Sequence, residues 1–194
     1  RNSQKGLPLI LFGAGLPQLA ALAGEAKSYA ERMFDFPGVG ALTEQAAVQA
    51  IADPIREEGG EITAQALAEI VRVTEGYPYF LQEWGKHTWN QAEGPDINLD
   101  DVHQASQTAR DALDRNFFRV RFDRLTPREQ AYLQAMAQLG SGPHRSGAIA
   151  EAMGLKVERT GPLRSGLMRK GMVWSPAHGM TAFTVPMFDA FMRR

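Results

Sequence analysis

Thr126-Pro127-Arg128-Glu129-Gln130-Ala131-Tyr132-Leu133 is the stretch from which the fold of this 194-residue chain can be read outward. Thr126 and Glu129 have the spacing of a capping box, and Pro127 takes the first helical position, where a missing N–H costs no hydrogen bond. The spacing predicts a helix that ends near Gly140. Ser146 can cap a short helix over residues 148–153, closed by Gly154, and a third helix over about 157–170 stops at Gly171. Residues 172–175 and 182–185 read as short strands around the turn Pro176-Ala177-His178-Gly179, and Pro186 opens a last helix over 187–194. Three helices followed by a β-hairpin is the order of a winged helix-turn-helix.

Upstream the punctuation is that of a helical bundle. Thr43 caps a helix that reaches about Glu58 and ends at Gly59-Gly60, and Thr63 caps a second that Gly76 closes. A third runs from Pro78 to about Ala92, and a fourth follows Asn98 to about Arg115. Near the start, Leu7-Pro8-Leu9-Ile10-Leu11-Phe12 is a continuous apolar run before Gly13-Ala14-Gly15, as in a strand buried on both faces of a parallel sheet. Nothing downstream supplies its partners, and a lone strand is unstable. With Arg1 in place of a starting Met, the expectation is a piece of a longer protein whose sheet lies upstream. Orphaned in this way, residues 1–40 are expected to be able to dimerise as a product of truncation. The predicted fold is mainly α: residues 1–40 as the remnant of an α/β core, 41–115 as a four-helix unit and 116–194 as the winged helix.

Composition narrows the chemistry. No cysteine is present, which excludes disulfides, zinc thiolates and a cysteine nucleophile, and fits a reducing, cytoplasmic setting. No apolar run approaches the length of a membrane span. The net charge of −1 hides a division: residues 1–110 carry 8 Lys/Arg against 15 Asp/Glu, and residues 111–194 carry 13 against 7. The basic part is the candidate for double-stranded DNA, unless the acidic part simply docks on it. His87, His103, His144 and His178 lack the spacing of a metal site, and no Gly-x-Ser-x-Gly elbow occurs.

Several segments together resemble AAA+/STAND ATPases, on the branch of the archaeal ATPases and replication initiators. Residues 7–12 with Gly13-Ala14-Gly15-Leu16-Pro17 resemble the strand that bears sensor 1. Ala26-Lys27-Ser28-Tyr29-Ala30-Glu31-Arg32-Met33-Phe34 resembles the segment whose arginine faces nucleotide. Gly76-Tyr77-Pro78 resembles the Gly-x-Pro motif of the lid. Met187-Phe188-Asp189 stands where STAND winged helices often carry Met-His-Asp, with phenylalanine replacing the histidine that contacts ADP.

The resemblance implies ATP or ADP with Mg in the parent protein, bound between core and lid, with a winged helix that binds DNA or a protein partner. It implies that Arg32 offsets charge on a transferring phosphoryl group, with Lys27 as its rival and an ordinary surface arginine as the alternative. It implies that Gly13, Gly76, Tyr77 and Pro78 approach nucleotide, with Pro78 against adenine and Tyr77 or Tyr79 flanking the base. Gly76 and Pro78 also read as ordinary helix punctuation, and both roles are compatible. A Gly-x-x-x-x-Gly-Lys-Ser/Thr loop does not occur, so this chain by itself is expected neither to hydrolyse ATP nor to hold bound nucleotide firmly.

For DNA, the helix over 157–170 places Val157, Thr160, Leu163, Leu167 and Met168 on one arc, with Glu158, Arg159, Ser165, Gly166 and Arg169 opposite. Arg159 and Arg169 are the candidates for the major groove, Arg145 and Lys156 for the phosphate backbone, and His178 for contact at the wing tip. The alternatives are a winged helix that docks on protein, or a DNA-binding regulator with an accessory bundle and no nucleotide role. Arg119, Arg121, Asp123 and Arg124 are expected to set the angle between bundle and winged helix through ion pairs.

Overall fold

The computed structural model of the chain describes residues 10–15, 19, 23, 24 and 33–194. They fall into two units, Arg1–Val39 and Gly40–Arg194. In the first, Ile10, Leu11 and Phe12 lie in no strand, and Phe12 is 91% exposed. The predicted strand is absent at these three positions, where no second strand among the described residues pairs with them; its first residues, 7–9, lie outside those described.

The second unit is mainly helical. Helix α1 (Glu44–Glu57) begins where the Thr43 hydroxyl accepts from the Ala46 amide, and α2 (Ala64–Thr74) where Thr63 accepts from Ala66. Pro78 opens α3 (Pro78–Gln91), and α4 (Leu99–Leu113) starts with a capping box between Asn98 and Asp101. Trp84 is fully buried among these helices, and its indole N–H donates to the Ser106 hydroxyl at 3.2 Å, which satisfies its one polar atom. Two residues of parallel strand, β1 (Glu61–Ile62) and β2 (Asp96–Ile97), pair Glu61 with Asp96 and Ile62 with Ile97. They tie the α1–α2 loop to the α3–α4 loop.

The helix expected to stop near Arg115 does not stop there. It passes through a π-helical turn, Asp114–Phe118, into α5 (Arg119–Phe122). Phe117 and Phe118 are consecutive and both buried. Phe117 packs on Tyr77, Tyr79 and Phe80 of the bundle, while Phe118 meets Phe188 and Phe191 near the C-terminus, each at 5.4 Å between ring centroids. A π-turn adds a residue to the helical ladder, and here it accompanies a change in which part of the core the helix serves. One apolar core therefore runs through Gly40–Arg194 without a break.

Beyond the π-turn, α6 (Pro127–Leu139) has the predicted capping box: the Thr126 amide donates to Glu129 at 2.8 Å, and the Glu129 amide returns to the Thr126 hydroxyl. Then come β3 (His144–Arg145), α7 (Ser146–Ala152), α8 (Val157–Arg169), β4 (Val173–Trp174), β5 (Met180–Phe183) and α9 (Phe188–Arg193). The three strands form an antiparallel sheet in the order β3-β5-β4. Strand β3 carries no period that two residues could reveal.

Three local expectations are corrected. Ser146 does not cap α7; its amide and hydroxyl both donate to Gly179 O, at 2.9 and 3.1 Å, and lock the β4–β5 turn to the start of α7. Gly166 is buried, because a Cβ there would stand 3.0 Å from Glu129 Oε1, whereas Val157, in the first turn of α8, is 46% exposed. Arg119, Arg121, Asp123 and Arg124 form no ion pairs among the described residues. Instead Arg121 lies 3.5 Å above the Phe117 ring and donates to Phe117 O, and Arg119 sits over Phe191.

Candidate functional site

A concavity of about 590 Å³ lies between α1 and α2. Leu42, Val48, Leu67 and Val71 supply its apolar lining, the buried Gly76 also lines it, and the exposed Glu44, Arg72 and Glu75 stand at its edge. Gly76 is needed there twice over. Its φ is +67°, and a Cβ would come within 2.7 Å of Leu42 O. The Leu42 amide donates to Gly76 O at 2.9 Å, so the segment entering α1 is pinned across the end of α2.

The charges at the edge are unequal. Arg72 makes two hydrogen bonds of 2.7 Å to Glu69, and these bonds hold the Glu69 carboxyl below its ordinary range. Its guanidinium is thereby engaged. Glu44 and Glu75 form no ion pair among the described residues. The groove therefore suits an apolar group against its lining and hydrogen-bond donors at its edge, and it disfavours phosphate.

Of the residues implied to meet nucleotide, Gly76 lines the groove, while Tyr77 and Pro78 are not among its lining residues. Tyr77 turns its ring onto Phe80 at 4.6 Å, in the core; Pro78 is exposed at the start of α3. Tyr79, 40% exposed, stacks on Phe117 at 5.2 Å. Gly13 is exposed in the first unit, and Arg32 and Lys27 lie outside the described residues.

The basic candidates Arg145, Lys156, Arg159, Arg169 and His178 are all exposed, and none is in an ion pair among the described residues. Lys156, Arg159 and Arg169 belong to α8 and its N-cap. Arg145 and His178 are brought together by the bonds from Ser146 to Gly179, since each is the chain neighbour of one partner. Arg164 works inward: it donates to Thr181 Oγ1 at 2.8 Å and to Met180 O at 3.0 Å, joining α8 to β5. Glu129, beneath Gly166, receives Lys170 Nζ at 2.7 Å. Burial pushes the Glu129 carboxyl up, but the bonds from Lys170 and Thr126 outweigh it and hold the group below its ordinary value.

Phe188 is buried against Phe118 and Phe183, and Asp189 pairs with Arg193 at 2.6 Å, while Arg193 also donates to Ala137 O. This part of the C-terminal segment serves the core. Among the described residues, no cluster of His, Asp and Glu is placed to hold a metal, and no helix is long and apolar enough to cross a membrane.

Fold and groove together define a mainly helical chain with an apolar cleft at the end of its second helix. A family described as a domain of unknown function (DUF8462) matches residues 115–192, beginning inside the π-turn. No curated protein matches the chain. Among solved structures, a substituted Thermotoga maritima RuvB is similar at 16% identity and a TM-score of 0.44, over 82% of this chain and 52% of that one. A second substituted form of the same protein is 17% identical with a TM-score of 0.39, over 74% and 47% of the two chains. The chain spans about half the length of these structures.

Proposed function

We propose that the chain is the C-terminal part of an AAA+/STAND-type ATP-binding protein of the archaeal-ATPase and replication-initiator branch, with residues 41–115 as its lid and 116–194 as a winged helix. The observation that carries this reading is the groove at Gly76, where the first residue of the lid motif, a glycine with positive φ, meets an apolar lining. The groove would take the base of ATP or ADP. Phosphates and Mg would be held by the upstream core, with Arg32 beside the transferring phosphoryl group. The unbroken core of Gly40–Arg194 supports a particular form of switch. Lid and winged helix then move as one body, and nucleotide changes the position of both relative to the core.

The order of α6, β3, α7, α8 and the β4–β5 hairpin supports the winged-helix assignment, with α8 as the helix that enters the major groove of duplex DNA. Free cations on the exposed side of α8 favour DNA over a protein-docking role. A DNA-binding regulator without a nucleotide role remains the rival. Titrating ADP into the chain while following backbone amides by NMR separates the two. Shifts centred on Leu42, Val71 and Gly76, at millimolar ADP, are expected. No shift there favours the rival, and micromolar affinity would place a phosphate cradle within these residues, against the proposal.

A further inference from the structure

Glu75 occupies a backbone conformation that favours glycine. Its φ is +51° and its ψ +30°, and Gly76 follows at φ +67°. Where Gly59, Gly140, Gly154, Gly171 and Gly179 adopt positive φ, the chain uses a residue without a Cβ; among the described residues only Glu75 and Met187 do otherwise. A left-handed non-glycine residue is strained, and glycine would follow α2 at lower cost. The side chain at this position therefore stands against the local preference of the backbone.

Three further facts locate its use. Glu75 lies at the exposed edge of the groove, next in sequence to Gly76, which also lines it. The backbone carrying it is pinned by the bond from the Leu42 amide to Gly76 O. Its carboxylate is exposed and has no hydrogen-bond or ion-pair partner among the described residues, while the neighbouring Glu69 is committed to Arg72. An ionised carboxylate only accepts hydrogen bonds. It repels phosphate and draws hydroxyl or amine donors.

We propose that Glu75 accepts the ribose hydroxyls of a nucleotide whose base lies in the groove, so that the lid selects ribonucleotides over 2′-deoxyribonucleotides. This rests on the nucleotide reading of the groove. The base has flat faces that suit Leu42, Val48, Leu67 and Val71, and the sugar emerges at the edge. A vicinal diol offers two donors to the two oxygens of one carboxylate.

The experiment titrates the 194-residue chain and its Glu75→Gly variant with adenosine, 2′-deoxyadenosine and inosine, reading the amide shifts of Leu42, Val71 and Gly76. Adenosine and inosine should bind alike, and 2′-deoxyadenosine at least about fivefold more weakly, as expected for a lost bond to a charged acceptor. Glu75→Gly should abolish that preference with its Tm unchanged or raised, since the backbone strain is relieved. If no nucleoside shifts these amides, the nucleotide reading and the ribose assignment fall together. If adenosine binds there but 2′-deoxyadenosine equals it, or the variant keeps the preference, only the assignment to Glu75 falls. Weakening by inosine without weakening by 2′-deoxyadenosine assigns the carboxylate to the base amine and overturns the ribose proposal.

Discussion

Helices α1–α4 and the segment from Thr126 onward share one core but are built by different means. The first region is acidic, and its helices α1, α3 and α4 run for 14 or 15 residues, with side-chain caps on α1, α2 and α4. The second is basic, its strands are two to four residues long, and α8 contains Gly161, Pro162 and Gly166. Such a helix has poor intrinsic propensity. It is held by Arg164 on β5, by Lys170 on Glu129, and by the close approach that Gly166 permits. Among the described residues, no ion pair joins the opposite charges of the two regions directly; Arg194 reaches back only to Asp114 in the π-turn. Aromatic packing around Phe117 and Phe118 joins them instead. Burial, which salt barely screens, therefore does more here than charge attraction, which salt weakens.

The largest expected effect comes from cutting that seam. Phe118→Ala should cost about 3–5 kcal/mol, the range for removing a buried ring. Wild-type chain should unfold residues 40–194 in one calorimetric transition, with equal calorimetric and van't Hoff enthalpies. Two separate transitions in the wild type would break the picture of one core. The variant should lower the stability of both regions together.

Next in size is Glu129, which serves only the second region. Glu129→Ala removes the acceptor for Thr126 and Lys170, and should cost about 2 kcal/mol in denaturant unfolding. The folded carboxyl titrates below its ordinary value of 4.5, so the unfolded chain binds more protons over that interval. Its contribution is complete above the unfolded value and is lost as pH falls through the folded one. Glu129→Gln should flatten this acid limb of the stability profile; an unchanged limb would remove Glu129 from its cause.

The smallest effect in energy sharpens the contrast of charge. Replacing Arg159 and Arg169 together by alanine should weaken duplex DNA binding at least about tenfold, or about 1.4 kcal/mol. The dependence on salt should become shallower, with Tm unchanged, because neither guanidinium is committed to the fold. Unaltered affinity would turn the basic region into a protein-docking surface.

Much of the second unit was legible in residue order. Thr43, Thr63, Asn98 and Thr126 announce helix starts because their bonding is local, completed within three residues. Gly76 and Pro78 marked a junction for the same reason, and the groove lies at that junction. The wheel of α8 put Arg159 and Arg169 outside and Leu167 inside, but reversed Val157 and Gly166. Helical periodicity says which residues share a face and not how closely a neighbouring helix approaches.

The sequence by itself determined where most of the helices begin and that the two parts differ in charge. These depend on neighbours along the chain or on composition. Only the tertiary structure decided that the fourth helix continues through a π-turn, that Phe188 joins the core, that Arg121 stacks on a ring, and that Glu75 stands strained beside a groove. Each depends on groups far apart in sequence competing for the same space. Pairings of that kind are set by the packing of the whole unit, and no local spacing encodes them.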